Sequence, residues 1–171
     1  GGGGGGFRCG PGALCARHIT FQTGTYPITV GAGGAGGSPS SSPCQYASKG
    51  GDSIVSTITS AGGGAGGGGN SDHNPLMDGG SGGGAGFVNE PSSGNTLGKG
   101  NTPPVSPPQG NNGGGGFGHS NTGGGGGGAN QAASNSSSQH QASAGGNGAN
   151  AIPIFGCSPK PYYPSAPNGP N

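Results

Sequence analysis

Apolar side chains come in short β-like bursts along this chain, and the bursts empty into glycine. HITF at 18–21 and YPITV at 26–30 are separated by QTGT. Gly24 there supplies the φ > 0 position that a tight turn wants, so a short hairpin is expected near 18–30. Pro27 cannot donate to a ladder and should place the second strand at an edge. SIVSTITS at 53–60 reads as the best single strand. The first pattern runs on into GAGGAGG and the second into AGGGAGGGG, so a strand followed by polyglycine is used twice.

Glycine runs then recur at 1–6, 31–37, 61–69, 79–86, 113–116, 123–128 and 145–148, with polar loops between them. A linker has no reason to segment itself so evenly, whereas a bundle of polyglycine-II helices does. Such a helix is extended and left-handed, with three residues per turn, about 3.1 Å rise and no internal hydrogen bonds. Each N–H and C=O then points to a neighbouring helix, and any Cβ would hold the helices apart. Weak Cα–H···O contacts add to the direct bonds. Ordering glycine costs more backbone entropy than ordering other residues, so only a cooperative bundle offsets it. The expected fold is therefore mostly irregular: a polyglycine-II and polyproline-II helix bundle with a few short β-strands and essentially no α-helix. Residues 1–150 form its glycine-rich domain, and 151–171 a proline-rich C-terminal tail. The NTPPVSPPQG stretch, ending at Gly110, is expected to be extended or polyproline-II, because proline fixes φ and removes donors.

Composition sharpens this picture. Glycine (49) and proline (16) make up more than a third of the 171 residues, and only 5 % are charged. That much glycine and proline without a strict period ordinarily means low complexity, yet disordered chains are usually highly charged. Too few large apolar side chains exist to fill an ordinary core, so order has to come from backbone contacts. The formal net charge is +1, with the five basic residues scattered. No basic patch exists to displace counterions from nucleic acid, and no apolar run approaches the roughly 20 residues of a membrane helix. Opening on six glycines without Met is expected of a fragment or a processed product.

Cys9, Cys15, Cys44 and Cys157 are an even set in a core-poor chain, which favours disulfides and an extracellular setting. Three pairings are open. A Cys9–Cys15 bridge closes a small loop around Gly10, Pro11 and Gly12; Cys44–Cys157 then ties the first third to the tail, worth roughly 4–5 kcal/mol in the chain-entropy model. No CxxC spacing points to zinc.

The segments GTYPITVGAGGAGG, STITSAGGGAGGGG, GGSGGGAG, GNTPPVSPPQGNNGG, TGGGGGGA and GGNGAN, in that order, resemble the glycine-rich domain of phage tail and tail-fibre proteins. The likeness runs from residue 1 to about 150, and PPVSPPQGNNGG is its most specific piece. It implies layered polyglycine-II sandwiches with variable end loops that touch a host surface. The cysteines, and the tail at 151–171 where a further AGGGGG segment is usual, depart from that pattern.

Chemical motifs are sparse. Asn70, Asp72, Asn74 and Asp78 have the early spacing of a calcium loop, but Pro75 and Ser81 stand where glycine and glutamate belong, so a solvated loop is expected and no metal. GxSxG, HExxH and the GK[ST] of a phosphate loop do not occur. No enzyme activity and no cofactor are expected. Receptor contact is assigned to the loops at 38–49, 70–78, 87–109 and 129–143. Their candidate residues are Tyr46, Asp72, His73, Asn74, Asn89, Asn95, Gln139 and His140, whose chemistry suits cell-surface carbohydrate. Asn135 is the glycosylation candidate, in an Asn-Ser-Ser sequon. The expected role is a structural and adhesive subunit of an extracellular fibre or virion appendage, at the cell exterior or virion surface. It would self-associate, with no nucleic-acid or membrane partner. The alternatives are a self-assembling fibril protomer with no receptor role and, third, an ice-binding protein.

Overall fold

The computed structural model describes residues 1–8, 21–37, 47–68, 74–86, 97–116, 122–137 and 141–149. Three short strands form one antiparallel sheet: β1 (Ile28–Thr29), β2 (Ser53–Val55) and β3 (Ile58–Ser60), in the order β1-β2-β3. Among the described residues there is no α-helix, only a single 3-10 turn at Pro75–Met77.

The single strand expected at 53–60 is instead a hairpin. Ser53 faces Ser60, Ile54 faces Thr59 and Val55 faces Ile58, leaving Ser56 and Thr57 as a two-residue loop. Ser56 takes φ 53°, the left-handed backbone that matches such a loop to the twist of its strands. The Ile, Val and Thr residues on both sides hide the reversal, because a single serine in their midst does not announce a left-handed backbone. Among the described residues β1 is an edge strand, the place Pro27 before it favours, with Ile28 opposite Val55 and Thr29 opposite Ile54. Its expected partner at 18–21 lies outside the described residues except for Phe21. Residues 22–26 are closed locally: the Tyr26 hydroxyl accepts from Gln22 N (2.9 Å) and donates to Gln22 O (3.1 Å). Phe21 packs edge-to-face on Tyr26 with ring centroids 4.7 Å apart.

Glycine rows carry the rest of the fold, and the row at 79–86 is their centre. Its donors rotate through three directions. Gly79, Gly82 and Ala85 donate to Lys99 O, Asn111 O and Gly114 O at 2.9–3.0 Å. Gly80 and Gly83 donate to Gly62 O and Met77 O, both at 2.8 Å. Ser81 and Gly84 donate to Gly4 O (3.0 Å) and Gly1 O (2.8 Å). Its carbonyls rotate likewise: Ser81 and Gly84 accept from Gly64 N and Gly67 N, Gly80 and Gly83 from Asn101 N and Gly98 N, Gly82 and Ala85 from Gly127 N and Gly124 N. A repeat of three residues with all bonds going to neighbours is the polyglycine-II arrangement. The rows at 62–67 and 111–114 run parallel to this centre, while those at 1–4 and 124–127 run antiparallel to it.

Residues 79–85 are all buried, yet Ser81 and Ala85 are the only ones among them with a side chain. The buried apolar side chains of the described residues are Ala61, Ala65, Met77 and Ala85, which makes the core mostly backbone. Close approach is what demands glycine. A Cβ on Gly83 would overlap Ala65 O, and one on Gly64 would overlap Met77 O. Burial elsewhere follows the same repeat: residues 143, 146 and 149 face inward while their neighbours are exposed, as do residues 133 and 136 within 131–137.

The proline-rich stretch is not extended. Asn101, at φ 52°, gathers it into a compact loop. Asn101 Oδ1 accepts from Val105 N (3.1 Å) and Gln109 N (3.2 Å), and Asn101 Nδ2 donates to Val105 O (3.1 Å). Thr102-Pro103 and Ser106-Pro107 are cis within it. Side-chain hydrogen bonding by Asn supplies the turn that proline alone does not specify.

Candidate functional site

Where a glycine row lacks a neighbouring row, a short polar side chain stands in for the missing carbonyl. Gln109, only 1 % exposed, accepts from Ala61 N through Oε1 (2.9 Å) and donates from Nε2 to Pro103 O (3.0 Å). Asp52 Oδ1 accepts from Gly62 N (2.9 Å), Asp78 Oδ1 from Lys99 N (2.7 Å) and Asn112 Oδ1 from Gly100 N (2.9 Å). Ser48, Ser53 and Ser143 hydroxyls accept from Ala35 N (2.8 Å), Gly31 N (3.0 Å) and Gly125 N (2.8 Å). A buried backbone N–H is costly when unpaired, so Gln109, which caps the buried Ala61 amide, does the most to hold the scaffold; the other caps serve part-buried or exposed amides. Sequence reasoning placed Asn101 and Gln109 in a receptor loop at 87–109 and assigned no role to Asp52, whereas Gln109 is buried and Asn101 folds the loop on itself. A polar residue lying a few positions from a glycine run was the available signal.

Of the residues expected to form surface sites, two fall among the described ones. Asn74 caps the 3-10 turn, its Oδ1 accepting from Leu76 N at 2.9 Å. Asn135 is exposed, and its Oδ1 accepts from Gly115 N at 2.8 Å, which ties its loop to the 113–116 row. Tyr46, Asp72, His73, Asn89, Asn95, Gln139, His140, Cys9, Cys15, Cys44 and Cys157 lie outside the described residues. No group of three His, Cys, Asp or Glu side chains gathers among the described residues, and no helix there is long and apolar enough to cross a membrane. The Gly1 amino group donates to Gly124 O at 3.1 Å, and burial pushes its pKa below the usual value.

A groove of about 510 Å³ opens along one side of the bundle, between the rows at 1–6, 31–36 and 61–66 and the segment at 47–53. Only glycine, alanine and serine line it. Consecutive residues of each row line it, among them Gly2 and Gly5, Gly33 and Gly36, and Gly63 and Gly66, each pair three residues apart. Gly2, Gly5, Gly33, Gly36 and Gly66 make no hydrogen bond, and the N–H of Gly63 has no acceptor. Part of the wall of this groove is thus backbone amide and carbonyl left over after the rows have paired with one another. What it offers a ligand is hydrogen bonding at a fixed spacing, without charge.

Rows of this kind, joined by backbone bonds and capped by short polar side chains, define a glycine-rich domain. The model of a glycine-rich domain family matches residues 1–169, and the chain belongs to that family. No curated protein and no solved structure matches the chain.

Proposed function

We infer that the chain is a structural and adhesive subunit of an extracellular fibre or virion appendage, in which the glycine rows are the scaffold and the connecting loops contact a surface receptor. The observation that carries this reading is the 79–86 row, bonded to neighbours all round and buried without a hydrophobic core. Such a scaffold is specified by backbone spacing, so it leaves the connecting loops free to vary without disturbing it. The segments at 38–46, 70–73, 87–96 and 138–140 are parts of the four stretches expected to contact a receptor, at 38–49, 70–78, 87–109 and 129–143, and their sequence is polar, as a carbohydrate receptor would require. The resemblance to tail-fibre domains supports the same role.

Replacing 87–96 by a short Gly-Ser linker tests it. Host-cell or glycan-array binding should fall at least tenfold while the thermal unfolding transition stays in place. Unchanged binding after each of the four loops is replaced in turn would overturn the adhesive half of the reading.

A fibril protomer with no receptor role is the second reading, favoured by the open glycine repeats along the groove. Under it, the loop replacements change neither binding nor assembly.

A further inference from the structure

The backbone bonding runs in a continuous order from one edge of the bundle to the other. Residues 31–37 bond to 48–51, through Gly51 N to Ala32 O (2.8 Å) and Ser48 N to Ala35 O (3.0 Å). Gly50 N continues to Gly63 O, and Gly64 N and Gly67 N continue to the central row. From there Gly82 and Ala85 accept from Gly127 and Gly124, and Gly126 O accepts from Gly146 N at 2.9 Å. The groove side and the 143–149 row are therefore the two ends of one bonded stack.

The far edge has the surface that the groove lacks. In the 143–149 row, Ser143 N and Gly146 N donate inward to Gly123 O (3.3 Å) and Gly126 O (2.9 Å). On a different face of the same row, Gly145 and Gly148 are exposed and make no hydrogen bond. They present a face without Cβ atoms, at three-residue spacing, with free N–H and C=O groups. A Cβ on Gly148 would meet nothing within 4 Å, and the same holds for Gly33 and Gly36 in the groove. Both surfaces are uncharged, both keep the repeat of a polyglycine helix, and each carries donors and acceptors with no partner among the described residues.

We propose that the Gly145 and Gly148 face of one copy lies in the groove of a second copy, between Gly2 and Gly5, Gly33 and Gly36, and Gly63 and Gly66. The added row continues the three-residue hydrogen-bond repeat from one molecule into the next. Only a strand close to free of side chains fits, because a Cβ pointing at the facing backbone holds polyglycine rows apart, as it would at Gly83 and Gly64. The two surfaces differ, so the contact is head to tail, and a head-to-tail contact propagates into a filament unless its rotation closes a ring. This names the partner of the structural-subunit reading and rests on that reading for its setting.

Complementing variants test the joint. Gly36→Val fills the groove side and Gly148→Val the edge side, and neither site has an atom within 4 Å or a left-handed φ to strain. In analytical ultracentrifugation the unsubstituted chain should form species whose mass rises with concentration, while each variant alone sediments as the 15.7 kDa monomer. An equimolar mixture should give a capped pair of twofold mass, since one copy keeps its groove and the other its edge. A mixture that stays monomeric overturns the proposal, as does either variant that still assembles. A monomeric parent chain that binds host glycans removes the joint and keeps the adhesive subunit; a monomeric parent that binds none removes both.

Discussion

The rows at 79–86 and 143–149 have nearly the same alphabet, glycine with a few alanines, serines and an asparagine, and opposite surroundings. In the first, residues 79–85 are buried and every N–H from 79 to 85 is bonded to another segment. In the second, two of each three residues are exposed and only the third turns inward. Glycine is forced on the first row by contact, since a Cβ on Gly83 or Gly84 would overlap backbone of the neighbouring rows. At Gly148 nothing stands within 4 Å, so the fold of the monomer does not ask for glycine there. Identical composition thus carries two meanings, close packing in the interior and an available face at the edge.

The widest separation between the two rows should come from the same substitution made in each. Gly83→Val places side-chain atoms on Ala65 O and should cost about 3 kcal/mol or more, by analogy with overpacked cores. In differential scanning calorimetry that lowers Tm by roughly 6–12 °C for a chain of this size. Gly148→Val in dilute solution should leave Tm within about 2 °C of the parent. Equal losses at both positions would break the comparison.

Next in size is the side chain that replaces a row. Gln109→Ala leaves Ala61 N buried without an acceptor and Pro103 O without its donor, and should destabilise by about 1–3 kcal/mol. Hydrogen exchange at the Ala61 amide should accelerate, whereas exchange at Gly146, far along the stack, should change little. A uniform acceleration across both rows would mean that Gln109 holds the whole bundle and not its local row.

The smallest effect sharpens the comparison through two serines. Ser81 is fully buried in the central row and its hydroxyl has no partner, so Ser81→Ala should be neutral or stabilising by up to about 1 kcal/mol. Ser143, in the edge row, accepts from Gly125 N at 2.8 Å, and Ser143→Ala should cost about 1 kcal/mol. Chemical denaturation of the two variants side by side gives the order. Ser81→Ala as the more damaging change would show that its hydroxyl is engaged after all.

The likeness between rows also explains what could be read in advance. Even segmentation of glycine with little charge pointed to a polyglycine bundle, and the three-residue hydrogen-bond repeat has that form. Pro27 pointed to an edge strand, and β1 is one in the sheet of the described residues. The hairpin at 53–60 was not legible, because its reversal rests on Ser56 entering a left-handed backbone that serine seldom signals. Nor was the loop around Asn101, since proline content argues for extension while a single asparagine side chain folds the stretch back on itself. Polar residues near glycine runs look like solvated loop, yet Gln109, Asp52 and Ser143 bond backbone amides ten or more positions away.

By itself the sequence determined the kind of order available: with so few large side chains and so much glycine, only backbone-to-backbone packing at a three-residue repeat can hold the chain. Which rows meet was decided by tertiary structure alone. Polyglycine runs are interchangeable in composition, and nothing local distinguishes 79–86 from 123–128 or 145–148. The central place falls to 79–86 because the segments on either side of it, 74–78 and 97–102, return to its flanks and bond to it, through Met77, Gly98, Asn101 and Thr102. Capping follows the same rule, since a side chain becomes a cap only where the bundle leaves an amide without a neighbouring carbonyl.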